Sequence, residues 1–502
     1  MSASATISRG LGHFVAGRVV SGLLGVAWLA LLVRALSAAQ YGVYVGMLAL
    51  FELLQMASGL GWHAYAGRYL PAAWAHASRA ALAADLWRLA AWRLGTLAAA
   101  AAATGLAWPF VVPALDWPSP APGAAAFMAY LLAAGAARGI EVIFESALEQ
   151  RFIQSLSAAR NAARIVAVLI GPATDGPLTA AWVVGLEAVL AVGFVLAGSM
   201  RLRSLVHRQR QQAGTAANPA PGLRTFTLQG YASVLLAQVC GIESIKLVLS
   251  HGAGPNVLAV FGMALSVADT IARYMPAGLL YGYARTVLTA QADGAGASKG
   301  PMPAASLLLR LNAAFLGLAT AVLLVFGDSL LHRLAPALGG GLLTASTVAL
   351  VLLLQAQALR LMVSLVVHVR SDNRPILWAN LATLPVPLAV MGMVPAWGLA
   401  AAVFGAWLLE LTYTGVTLRV AGLRVRQLAG PGRHWACVAW ALTASAAVGG
   451  GLRFTLPAGL GLSIGIPLMS ATYAAVLWHL RPLERSERRM LVRLRPVRRA
   501  AQ

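Results

Sequence analysis

The chain is dominated by runs of about twenty mainly apolar residues, and that recurrence limits what it can become. A helix needs about 20 such residues to cross a hydrocarbon layer about 30 Å thick. Fourteen stretches qualify, beginning near Phe14, Gly42, Leu89, Ala124, Ala162, Leu178, Phe226, Val257, Ala305, Leu342, Ile376, Gly398, Trp435 and Ala458. The fifth, ending at Ile170, is the weakest. Of 502 residues 59% are hydrophobic and only 11% charged, too little polar surface for a water-soluble globule. The expectation is an all-α integral membrane protein. The first stretch is too long for a removable signal.

Basic residues alternate between connections, and Lys and Arg mark the cytoplasmic side. Connections after even-numbered stretches hold Arg68 and Arg79; Arg151 and Arg160; Arg201, Arg203, Arg208, Arg210 and Arg224; Arg285 and Lys299; Arg370 and Arg374; and Arg424, Arg426 and Arg433. The tail from Arg481 to Arg499 continues the pattern, whereas odd-numbered connections offer only Arg34, Arg333 and Arg453. Both termini are therefore expected in the cytoplasm. The net charge of +22 then reflects topology and attraction to anionic membrane lipids rather than nucleic-acid binding.

The polar stretch 201–224 reads as a cytoplasmic linker. It separates a six-helix lobe (1–200) from a second (225–420), followed by a helix pair (421–480) and a basic tail (481–502). Gly46 and Met47 match Gly262 and Met263 at an offset of 216, a short signal of two parallel repeats, with substrate expected between the lobes. No connection exceeds about 30 residues, too short for an extramembrane catalytic domain, and no GxxxxGK[ST] sequence is present. No enzyme is expected. Cys240 and Cys437 both lie in apolar runs, and the nine His form no ligand-spaced cluster; neither metal nor cofactor is expected.

The turn Arg34, Leu36, Tyr41 and Gly42, with Gly59, Leu60 and Gly61 preceding Arg68, Tyr69, Leu70 and Pro71, resembles the start of bacterial polysaccharide flippases of the multidrug/oligosaccharidyl-lipid/polysaccharide exporter superfamily. Ser37, Ala39 and Ala72 stand where that family often has a Gly or acidic residues. The resemblance implies two lobes alternating between inward-open and outward-open V shapes in a bacterial inner membrane. It further implies movement of an undecaprenyl-diphosphate-linked oligosaccharide from the cytoplasmic to the outer leaflet, for polysaccharide or lipopolysaccharide biosynthesis. Partners on that reading are the lipid-linked substrate, membrane lipids, and a glycan polymerase or glycosyltransferases. The alternative is a drug or metabolite antiporter coupled to a cation, as in multidrug (MATE) transporters.

Charges inside the apolar stretches cost about 2.5–3.5 kcal/mol each on insertion scales, so they face partners or a wet cavity. Arg18, Arg138, Lys246, Arg273 and Arg360 are the candidate cavity cations for a diphosphate, since the guanidinium fork stays charged and binds phosphate in paired hydrogen bonds. Arg138 with Glu141, Glu243 with Lys246, and Asp269 with Arg273 are spaced to meet on one helical face, whereas Arg18 and Arg360 have no such local partner. Arg310, a turn into its stretch, is expected to snorkel to the headgroups. Glu52, Glu243 and Asp269 are the candidates for binding a proton or sodium ion; Glu141, Glu145, Glu187 and Glu410 complete the acidic set. Pro276, Pro385 and Pro387 are candidate kinks. Trp108, Trp117, Trp397 and Trp435 are expected at the membrane interfaces.

Overall fold

The computed structural model describes residues 20–118, 123–147, 149–171, 178–208, 223–279, 281, 302–369, 374–430, 432–455 and 458–480. Arg18, the linker at 209–222, Arg285, Lys299 and the tail lie outside them. The described residues are helical and contain no strand. The first helices are α1 (Val20–Ala35), α2 (Ala38–Ala57), α3 (Trp62–His76), α4 (Arg79–Ala114), α5 (Ala124–Ser146) and α6 (Gln150–Ile170). Next come α7 (Ala180–Arg208), α8 (Leu223–Val239), α9 (Ile242–Tyr274), α10 (Met302–Leu334), α11 (Gly341–Val369) and α12 (Arg374–Ala382). The last are α13 (Pro385–Trp397), α14 (Leu399–Val420), α15 (Val425–Ala429), α16 (Gly432–Thr455) and α17 (Ala458–Leu480).

Ten helical stretches are long and apolar enough to cross a membrane, eleven if the bent pair α2–α3 counts as one. The difference from fourteen has local causes. The described part of the first stretch, α1, is short, and α6 is not apolar enough. Stretches seven and eight run together as one helical path, Thr227–Tyr274, because the turn between them is so tight. That turn is Gly254, with φ +79°, where a side chain would be strained. A bend of 61° separates α2 from α3, turning on Gly61 at φ +84°. Serine hydroxyls cap the starts: Ser37 accepts from the Gln40 amide and Ser78 from the Ala81 amide, each at 3.3 Å. Pro385 opens α13, so it ends α12 rather than bending a continuous helix.

The chain divides into two compact units, the first ending at Ala259 and the second beginning at Val260. In the first, the start of α2 meets the turn within α9: a Cβ on Gly42 would lie 1.8 Å from the Pro255 carbonyl oxygen, so only glycine allows this approach. At the same end Trp117 donates its indole N–H to Ser250 at 3.1 Å, and the Gln40 side-chain oxygen accepts from the Ala180 amide at 2.8 Å. The opposite end is tied by Trp74 to Ser146 (3.1 Å), by Tyr231 to the Ala57 carbonyl (2.7 Å) and by Arg201 to Glu149 (3.0 Å).

The tryptophans divide. Trp397 is exposed, but Trp108 and Trp117 are buried, their rings 6.0 Å apart, correcting the interfacial expectation for both. Local packing supplies the reason: Gly46 and the α5 start leave a slot that a large ring fills. Cys240 and Cys437 are both buried.

Candidate functional site

The first unit carries a polar seam through its apolar helices. On α2 the backbone presents Phe51 and Glu52, and from α5 Arg138 reaches both: its guanidinium is ion-paired with Glu52 and lies 5.8 Å above the Phe51 ring. Arg138 nonetheless stays 44% exposed and Glu52 26%. In the first turn of α9, Lys246 binds both oxygens of Glu243, at 2.8 and 2.9 Å. Glu52 feels the charges of this pair as well as that of Arg138.

A deeper section of the seam lies on α6 and α7. Arg164 is ion-paired with Glu187, which is 2% exposed, and holds the side-chain oxygen of Asn161 at 2.8 Å. Asn161 in turn donates to the Ser21 carbonyl at 3.2 Å, tying α6 to α1. Tyr44 and Tyr130 are buried in the field of Glu187 and Arg164. Arg160 and Glu141 attract one another but make no hydrogen bond or ion pair among the described residues. Glu145, on the same face of α5 one turn on, feels the charge of Glu141.

The second unit is simpler. Arg360 on α11 is ion-paired at 3.0 Å with Glu410 on α14, and its guanidinium stacks 4.3 Å from the centre of the Tyr413 ring. Gln357 lies near enough to Glu410 to favour its charged form. Glu410 is buried while Arg360 remains 33% exposed. Nearby Asn312 donates to Gln355 at 3.2 Å across α10 and α11.

The expected residues therefore fall into distinct settings. Glu243 and Lys246 pair along one helix, the spacing read from the sequence. Arg138 pairs with Glu52 rather than with Glu141, because tertiary packing brings α2 closer to its guanidinium than the next turn of its own helix. Arg360 acquires Glu410 from fifty residues away, a partner no local spacing reveals. Asp269 and Arg273 are both exposed near the end of α9, in the second unit. Arg310 does not snorkel: it is buried, donates to Ser306 at 3.1 Å and packs against Gly430 before α16.

The sequence places Arg160 in a cytoplasmic connection and gives Arg164 no role, yet both belong to the seam. The signal that finds them is periodic: Arg160, Asn161 and Arg164 share one face of α6, opposite the exposed Val166, Leu169 and Ile170. That polar face is also what makes the fifth stretch the weakest. Among the described residues no group of three or more His, Cys, Asp or Glu is placed to hold a metal ion.

No protein-family model matches the chain, and no curated protein matches it in sequence. Solved structures do match its fold. The lipid II flippase MurJ in an inward closed conformation is similar with TM-score 0.61 at 12% identity, over 92% of this chain and 97% of that one. An inward-facing multidrug resistance MATE family transporter of the MOP superfamily is similar with TM-score 0.55 at 13% identity, over 81% and 95%. A mutant of the Vibrio cholerae MATE transporter VcmN is similar with TM-score 0.52 at 13% identity, over 84% and 98%. The chain shares its fold with this flippase and these transporters.

Proposed function

We propose that this protein is a flippase that moves an undecaprenyl-diphosphate-linked oligosaccharide from the cytoplasmic to the outer leaflet of a bacterial inner membrane by alternating access. The observation that carries the reading is that each unit holds an arginine deep in apolar sequence, stacked on an aromatic ring, paired with a glutamate and still partly exposed: Arg138 and Arg360. Burying a guanidinium without a counter-charge is costly, so the resting protein supplies a carboxylate. A diphosphate also offers paired acceptor oxygens to the guanidinium and can take the carboxylate's place. On this reading the chain has fourteen spans with both termini in the cytoplasm, and the prenyl tail stays in lipid. Outward movement of the anion is aided by a cytoplasm-negative potential, by about 2.3 kcal/mol per charge per 100 mV. Arg18, Lys246 and Arg273 complete the proposed cation set, with Glu52, Glu243 and Asp269 as ion-coupling groups.

The test is transfer of a fluorescent polyprenyl-diphosphate oligosaccharide across proteoliposomes, read by quenching. Arg138→Gln and Arg360→Gln should each lower the rate at least about tenfold at unchanged protein yield, the loss expected of one charge-assisted contact. Full rates in both variants would overturn the assignment.

One observation favours a second reading, a cation-coupled antiporter. In the first unit Glu52, Glu141, Glu145, Glu187 and Glu243 are matched in number by Arg138, Arg160, Arg164, Lys246 and the buried Arg93 of α4, which lies in the field of Arg138, so the seam has no excess of positive charge. Efflux of an organic cation that collapses in Glu52→Gln, with no movement of the lipid-linked substrate, would establish it.

A further inference from the structure

The second unit contains a cavity of about 610 Å³ among α10, α11 and α16, apart from Arg360 and Glu410. Its lining is graded from one end to the other. Asp328, near the end of α10, and Arg453, in the last turn of α16, stand at the rim beside Gly341, the first residue of α11. Leu324, Ala349 and Leu352 continue inward, and the two leucines are exposed. From Gly341 to Leu352, α11 rises by about 16 Å, about half of a hydrocarbon layer roughly 30 Å thick. The groove therefore has the depth of one leaflet, with its charges at the level where helices end.

The rim charges are held apart. Arg453 is fixed by donating to the Val325 carbonyl at 2.6 Å, and Asp328 makes no ion pair with it among the described residues. An acid and a base that share a rim without neutralising one another suit a ligand bearing both a cation and an anion. Gly341 and Ala349 leave the wall low, as a chain lying along α11 requires.

We infer that this groove binds a phospholipid with a primary ammonium headgroup, of the phosphatidylethanolamine class: the ammonium donates to Asp328, the phosphate accepts from Arg453, and one acyl chain lies along Leu324 and Leu352. The site is independent of the transport reading, since it shares no residue with the paired arginines. A phosphatidylglycerol brings the phosphate but sets its net negative charge beside Asp328, and a choline headgroup has no N–H to donate. Preference for the ethanolamine lipid follows.

The experiment is native mass spectrometry of the full chain in detergent, titrated with phosphatidylethanolamine or phosphatidylglycerol carrying identical acyl chains. The ethanolamine lipid should be retained about tenfold better, as one charge-assisted hydrogen bond gives. Asp328→Asn should bring that ratio close to one, and Ala349→Trp, which fills the groove, should reduce retention of both lipids. Equal retention by the unaltered protein, or an unchanged ratio in Asp328→Asn, overturns the proposal. Should a variant fail to fold, a photoactivatable acyl-chain phosphatidylethanolamine on the unaltered protein decides: labelling of α10 and α11 near Leu324 and Leu352 supports the site, and labelling confined elsewhere overturns it.

Discussion

The two units treat intramembrane charge differently. The first spreads it over α2, α5, α6, α7 and α9, so that each charged group lies in the field of several others. The second holds a cross-helix pair, Arg360 with Glu410, backed by Gln357 and Tyr413, and apart from it a buried Arg310 on Ser306. A network dilutes the loss of any one member, whereas an isolated pair has no substitute. Exposure adds a second contrast within the first unit: Glu187 is sealed, but Arg138 is 44% open. The sealed pair is suited to holding helices together and the open pair to exchanging its carboxylate for a ligand.

These contrasts can be broken experimentally, beginning where the effect is greatest. Glu187→Ala strands Arg164 in the interior and should cost about 3–5 kcal/mol, abolishing recovery of folded protein in detergent. The double variant Arg164→Met with Glu187→Met should restore most of it. If the single variant melts like the parent, the seam is not structural there. Gly42→Ala forces a Cβ against the Pro255 carbonyl and should destabilise the first unit by about 1–3 kcal/mol, seen as faster proteolysis at the α9 turn.

Comparing Glu410→Gln with Glu52→Gln sharpens the difference between units. The first removes a charge buried in an isolated pair and should lower the melting temperature clearly. The second touches an open, networked pair and should change stability by about 1 kcal/mol or less. Similar shifts in the two would erase the distinction. Tyr231→Phe, which deletes the hydrogen bond to Ala57 at the α2–α3 bend, is the mildest, at about 1 kcal/mol. Hydrogen exchange localised to that bend would register it.

Much of this was written in the order of residues. The apolar stretches determined a helical, membrane-suited chain because backbone polar groups away from water must bond within their own segment. The Glu243–Lys246 pair was legible because a helix makes neighbours of residues three apart. Gly42 and Gly46 drew notice as a turn motif and a repeat match, and only packing shows that Pro255 and Trp117 press against them.

Tertiary structure decided the rest. Glu52 and Glu410 meet their arginines from other helices, and no periodicity along one helix encodes which face of a second will be opposite. The same holds for α6, where Arg164 finds Glu187 on α7. Hydrophobic pattern sets which segments leave water, a property of each segment alone. Charge pairing depends on distances across helices, and these exist only once the helices have packed.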